Sequence, residues 1–520
     1  MAASREDMLE VAGAIGYEIP EKDIEEYTTL LSRMKGVLES LSEMDDYTPT
    51  PDFAKSPRNS VHFPDKADNP LNAWAWRCDC THTAPSSCLL RGKTVCLKDN
   101  IALAQVPCLL GTESFTDWTP EVDATVATRI LEAGGTIAGK AVCENLSRGA
   151  VSVSAATGPV HNPWAAGYSA GGSSSGTAAL VASGATDVGV GCDQGGSIRI
   201  PAAMCGLWGL KATFGLVPYT GIASNDASVD FVGPMARTCM DCATLLGAIA
   251  GVDGLDDRQV AGCPFPGQVP GYAGELSRSG RTGAAGLRIG ILNEGISSPV
   301  LEEELKNKFL AAAKEFEKLG ATVEEVSVPM HGSARTIYSV MSKMGNHMGM
   351  LGRATGRRQL MMTDLFEKKN FPYTQDALSK MSVFSKEGLF SGELGWTHYP
   401  FAYSKAVNLA RKLRDNYDAA LDTYDLLIMP TTLRPSFPFP PADASPLEHI
   451  DANKGMTENT AAFNASGHPA LAMPIGFVAS KANQDIRVPA SMQIVGRFWD
   501  ESTIFKAAYA WEQCIDWKSF

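Results

Sequence analysis

Residues 176–206 read GTAALVASGATDVGVGCDQGGSIRIPAAMCG, and the order of the pieces within them sets the fold class. GTAALVASGA (176–185) is a helix pattern of small residues, and TDVGVGC (186–192) is a short apolar run of the kind that makes a buried strand. The glycine pair Gly195–Gly196 turns the chain, and SIRIPAAMCG (197–206) starts a second helix. A helix, a buried strand, a tight turn and a helix in succession belong to a sheet covered by helices.

The same alternation runs outward in both directions. TVCLKDNIAL (94–103) predicts a short strand that breaks at Asp99–Asn100, and DATVATRILEAGG (123–135) a helix from an Asp N-cap to a double-glycine stop. TIAGKAV (136–142) is the next strand. GLRIGIL (286–292), LEEELKNKFLAAAKEFEKLG (301–320) and TVEEVSVP (322–329) make a strand–helix–strand unit. SKAVNLARKLRDNYDAALDTY (404–424) is a long helix leading into a buried strand, DLLIMPTT (425–432). Residues 1–45 predict helices, with Tyr27, Leu30, Leu31, Met34, Val37 and Leu38 on one face. Residues 46–90, rich in Pro, Asp and Ser, predict an extended connection, and 330–400 an irregular, Met-rich stretch with helical pieces.

The chain has 520 residues, 44% of them hydrophobic, enough for a large core. Its formal charge is −13, which repels nucleic acid and anionic membranes, so neither is expected as a partner. The start, MAASREDMLEVAGAIGYEIP, lacks a basic stretch followed by an apolar one, and no run is long enough to span a bilayer; the expected compartment is the cytoplasm. There are 12 cysteines. Cys239 and Cys242 form a C-x-x-C that could ligate zinc, but they lie in the apolar helical pattern CMDCATLLGAIAG and read better as core thiols. No metal is expected.

Three pieces carry chemistry together: Lys98 in CLKDN, Ser173, Ser174 and Ser175 in SAGGSSSGTAAL, and Gln194, Gly195, Gly196 and Ser197 in GCDQGGSIRIP. A strand running through glycines into a helix start leaves main-chain N–H groups unpaired and able to converge on one point. That point suits the oxyanion formed when a nucleophile attacks a carbonyl, and Ser197 ends the same loop. A serine needs a base, and His161 is the only histidine near either serine motif in the sequence. A buried, uncharged lysine also serves, and Lys98 ends an apolar strand. Ser173 is placed to relay the proton. The competing readings are a flexible Gly/Ser linker, which fails because the run is embedded in the core pattern, and a nucleotide loop, which fails because GVGCDQGG has the wrong glycine spacing and no Walker lysine follows.

These residues resemble the amidase signature family of hydrolases. The resemblance runs from about Asn69 to Trp511 and rests on VCLKDNIALAQVPCLLGT, DATVATRILEAGGTIAGKAVCENL, GPVHNPW, GGSSSGTAALVASGATDVGVGCDQGGSIRIPAAMCGLWGLKATFGLVP, GPMARTCMDCATLL, YDLLIMPTT, FNASGHPALAMPIGF and MQIVGRFWDESTIFKAAYAWE. The separations of 99 residues between Lys98 and Ser197 and of 24 between Ser173 and Ser197 match the family's Ser–cisSer–Lys triad.

The resemblance implies an α/β fold, a central mixed twisted sheet with helices on both faces. It implies a helical N-terminal extension and connection over 1–68 and a catalytic domain over 69–520. It implies hydrolysis of a small-molecule amide to acid plus ammonia or amine through an acyl-enzyme, without a cofactor. Ser197 would attack, Ser173 (after a cis peptide from Gly172) would pass the proton and neutral Lys98 would accept it. The N–H groups of Gln194, Gly195, Gly196 and Ser197 would form the oxyanion hole. Gly172, Ser174, Asp193 and Arg199 are candidates for substrate handling, with a structural ion pair as the competing reading of Asp193 and Arg199.

The family usually reads GGSSGGS. This chain reads GGSSSGT, with Ser175 at a glycine position. Within the family the look is closest to amidases of nitrile metabolism, which implies a homodimer. The alternatives are a non-catalytic scaffold and a glutamine amidotransferase-type subunit. A G-x-S-x-G centred on Ser174 could also be a nucleophile elbow with His449 or His468 as base, but NPWAAGYSA offers no strand before it. Met344, Met348, Met350, Met361 and Met362, with Trp396, His398 and Tyr399, are candidates for an acyl pocket or for core.

Overall fold

The computed structural model describes residues 2–353, 355–369 and 372–520. Two compact units form, Met1–Thr50 and Pro51–Phe520. In the first, helices Arg5–Ala14 and Ile24–Ser42 are joined by a short turn, and the first starts at a capping box between Ser4 and Asp7. Of the expected apolar face of the second helix, Tyr27, Leu30, Met34, Val37 and Leu38 are exposed in this chain.

The second unit begins before residue 69, because Asn59–His62 and Trp74–Cys80 are strands, paired antiparallel at one edge of the sheet. By sequence this stretch reads as a connection. Its strands are hidden there because Trp74–Cys80 interleaves Arg77 and Asp79 with apolar residues and the edge strand is short and polar.

Among the described residues twelve strands form one mixed sheet. Thr94–Lys98 lies parallel between Thr136–Ala141 and Val188–Asp193. The Arg288–Leu292 strand is parallel to Thr322–Val326 and to Leu426–Pro430, as the strand–helix–strand reading requires. Long antiparallel strands, Ala470–Ser480 and Asn483–Val495, join the two halves.

Alternation along the strands accounts for a core on each face. Val95 and Leu97 pack in one apolar cluster with Ile130, Leu131, Leu245, Phe309 and Trp511, while Cys96 packs in another with Ala178, Leu180, Ala202 and Cys205. Helices Thr125–Glu132, Cys239–Ile249, Glu303–Lys318 and Glu501–Cys514 therefore cover one face, and Ser175–Ser183 and Arg199–Cys205 the other. Glu303–Lys318 buries Leu305, Phe309, Ala312, Ala313 and Phe316 at helical spacing, each phenylalanine contributing about 1.5–3 kcal/mol.

Cys239 and Cys242 are both fully buried in this packing. The 330–400 stretch is more ordered than its composition suggests: His331–Met350 and Val383–His398 are long helices that pack together. No helix of the described residues is long and apolar enough to cross a membrane.

Candidate active site

Lys98 is the last residue of its strand and, two after Cys96, faces the same side as the Ser175–Ser183 helix. It is fully buried, and its Nζ donates to Ser173 Oγ at 2.7 Å. The neighbouring cation is occupied elsewhere. Lys140 Nζ lies 3.5 Å from Asp99 Oδ1 and donates to Cys108 Sγ at 2.8 Å. Burial, opposed by Lys140, pushes the Asp99 carboxyl up to about 6, and its Oδ2 accepts the N–H groups of Leu109 and Leu110. Asp99 and Lys140 thus hold the loop that follows Lys98, and Lys98 is left to the serine.

The Gly172–Ser173 peptide is cis, as the resemblance implied. Ser173 O accepts the Glu144 N–H at 3.1 Å, and the Ser174 N–H donates to Ser197 O at 3.3 Å, which brings the two serine loops side by side. A Cβ at Gly172 would lie 2.9 Å from Glu144 Cγ, so the glycine admits the carboxyl. Glu144 is fully buried against Ser154, its Oε1 has no partner, and desolvation pushes it up to about 7. Sequence reasoning assigns Glu144 no role; a charged residue two places after the apolar strand TIAGKAV was the available signal.

Strand Val188–Asp193 delivers the nucleophile loop. Asp193 organises it: Oδ1 accepts the Gly196 N–H at 2.7 Å, Oδ2 accepts the Ile198 N–H at 3.1 Å, and the Arg199 guanidinium bonds to both oxygens at 2.9 and 3.0 Å. Arg199 also donates to Thr460 O, Gln493 Oε1 and Asn464 Oδ1. Burial pushes the Asp193 carboxyl up, but Arg199, Asn464 and the loop N–H groups outweigh it and hold it at about 2. Both residues are fully buried and neither lines the cavity at Ser197; their bonds brace the loop. The same is true of Ser174, whose Oγ donates to Cys192 O, and of Gly172. None of the four candidates for substrate handling lines that cavity. Gly195 and Gly196 are needed where they stand, since a Cβ at either would overlap Tyr338 or Thr460.

Ser197, Gln194 and Gly195 line a cavity of about 540 Å³ with Arg148, Tyr338, Asn346, Lys343, Phe384 and Glu387. Gln194 Nε2 donates to Tyr219 Oη at 2.8 Å. The proposed methionine pocket is elsewhere. Met348, Met361 and Met362 line a neighbouring cavity of about 370 Å³ with Trp396, while Met344 and Met350 are buried in core and His398 and Tyr399 line neither cavity.

The nucleophile-elbow reading loses its geometry. A strand does form before Ser174, Ala165–Ser169, but it pairs with His161–Asn162 in a separate two-stranded sheet. His468 is held between Asp418 and Ser466, and neither it nor His449 lines the Ser197 cavity. Ser175 and Thr177, where the chain departs from the family pattern, are buried in the first turn of their helix with hydroxyls that find no partner.

A family model described as Amidase matches residues 60–505. An enantioselective amidase of Rhodococcus rhodochrous is 36% identical over 469 residues, 88% of this chain and 86% of that relative. A glutamyl-tRNA(Gln) amidotransferase subunit of Geobacillus stearothermophilus is 34% identical, covering 82% of this chain and 84% of that relative. Among solved structures, the native peptide amidase from Stenotrophomonas maltophilia superposes with a TM-score of 0.65 at 29% identity, covering 82% of this chain and 83% of that one.

Proposed function

The chain belongs to the Amidase family and hydrolyses carboxylic amides, and from that premise we propose that Ser197 is its nucleophile, Ser173 its proton relay and Lys98 its base. The observation that carries the reading is the buried Lys98 Nζ–Ser173 Oγ hydrogen bond of 2.7 Å, beside a serine that opens into a polar cavity of about 540 Å³.

Ser197 Oγ attacks the amide carbonyl as its proton passes to Ser173 Oγ and the Ser173 proton passes to Lys98 Nζ. An amine accepts a proton only in its uncharged form. The carbonyl oxygen becomes an oxyanion. Because the Gly196 N–H is already bonded to Asp193 Oδ1, the oxyanion falls to the N–H groups of Gln194, Gly195 and Ser197 rather than to four donors. Collapse breaks the C–N bond, and the proton returns through Ser173 to the leaving ammonia or amine. Water then attacks the acyl-enzyme by the same route, giving the acid and free Ser197.

Labelling with a fluorophosphonate tests this. Ser197 is expected to carry the adduct, and Ser197→Ala to lose the label and about 10⁴-fold or more in kcat. Label on Ser174, or undiminished turnover by Ser197→Ala, ends the proposal.

We also propose a cytosolic homodimer. The exposed row Tyr27, Leu30, Met34, Val37 and Leu38 on the helix of the first unit supports self-association. Sedimentation is expected to give a dimer that Leu30→Glu with Val37→Glu converts to a monomer; a monomeric wild type refutes it.

A further inference from the structure

The cavity at Ser197 contains a cation without a counterion. Arg148 is 9% exposed, and its Nε donates to Phe384 O at 3.3 Å. Its guanidinium packs flat against Gly388, where any Cβ would overlap it, so a glycine in the Val383–His398 helix makes the room. Nη1 has no hydrogen-bond partner, and among the described residues no carboxylate forms an ion pair with the group. Burial pushes Arg148 down only to about 10, so it is charged at neutral pH.

The nearest charges sharpen the point. Lys343 lines the same cavity and is pushed down first by burial and then by Arg148, a like charge close enough to be felt. Glu387, a carboxylate of the lining, is held by Lys343. Lys343 and Glu387 pair with each other, which leaves Arg148 as the unpaired charge; the exposed Arg335, Asp451 and Lys454 also line the cavity, and Arg335 is paired with Glu458. Removing an ion from water without a partner is costly, and a planar guanidinium is matched to a carboxylate.

We propose that Arg148 selects amides that carry a carboxylate elsewhere in the molecule, holding that carboxylate while Ser197 attacks the amide carbonyl. This rests on the Ser197 reading above. It assigns a binding role to a residue outside the triad and narrows the substrate class to anionic amides.

The test compares kcat/KM for butyramide with succinamate and glutaramate, which carry the carboxylate on the acyl side, with N-butyrylglycine, which carries it on the leaving group, and with 4-aminobutyramide, which is cationic. At least one carboxylate-bearing amide is expected to exceed butyramide by about 10- to 100-fold, mainly through KM, with the cationic amide poorest. In Arg148→Gln that ratio is expected to fall toward one, and Arg148→Lys to recover part of it. The wild-type panel stands by itself if Arg148→Gln does not fold.

Butyramide turned over as well as all three anionic amides overturns the proposal. If Ser197 takes the fluorophosphonate while neutral amides are preferred, only the anion selection fails. If Ser197 takes no label and no amide turns over, the nucleophile reading fails and this one with it.

Discussion

The loop that carries Ser197 and the lining of the cavity in front of it are built on opposite rules. Behind the nucleophile, the charges cancel in place: Asp193 is met by Arg199, Asn464 and two main-chain N–H groups, and Asp99 by Lys140 and two more. In the cavity lining, Arg148 Nη1, Gln194 Oε1 and Asn346 Oδ1 are buried and unpartnered. Paired charges fix a geometry, while an unpaired one is costly in the absence of ligand and gives selectivity when a ligand supplies the partner. On the proposed reading, the sheet side of the cavity does the chemistry and the residues lining it do the selecting.

The largest expected effect breaks or sustains that division at Lys98. Lys98→Met keeps the chain length in a fully buried site and removes only the amine. We expect kcat to fall by about 10²- to 10⁴-fold with KM little changed, because Lys98 does not line the cavity. A variant that raised KM while leaving kcat intact would move Lys98 from the chemistry to the lining.

The same division explains what could be read from the sequence. The proposed triad of Lys98, Ser173 and Ser197 was legible because a strand, a glycine turn and a helix start are local patterns and the family motifs span them. The roles of Asp193 and Arg199 were half legible: a pair six residues apart was visible, but its ties to Thr460, Asn464 and Gln493 depend on strands and helices more than 250 residues away. Arg148 was not legible at all. Its proposed role rests on a glycine of a distant helix and on the missing counterion, and neither leaves a periodic signal. The edge strand at 59–62 and its neighbour at 74–80 escaped for a related reason, since the first is short and polar and the second breaks its apolar run with Arg77 and Asp79.

The frame can be probed without touching the reaction. Arg199→Met leaves the Asp193 carboxylate buried and alone, and we expect a loss of about 3–5 kcal/mol of stability. The pH dependence tells charge from packing. In the wild type the Asp193 carboxyl sits at about 2 against an ordinary 3.8, so the pair stabilises the fold above pH 4 and loses about 2 kcal/mol as pH falls through 2. Without Arg199, burial raises the same carboxyl above 3.8, and acid relieves the variant by neutralising it. The deficit of Arg199→Met, followed by denaturant midpoints from pH 7 to pH 3, is therefore expected to be greatest at neutral pH and to shrink with acidification. A deficit constant across that range would mean that Arg199 holds the loop by filling space, and that the frame owes its rigidity to shape rather than to paired charge.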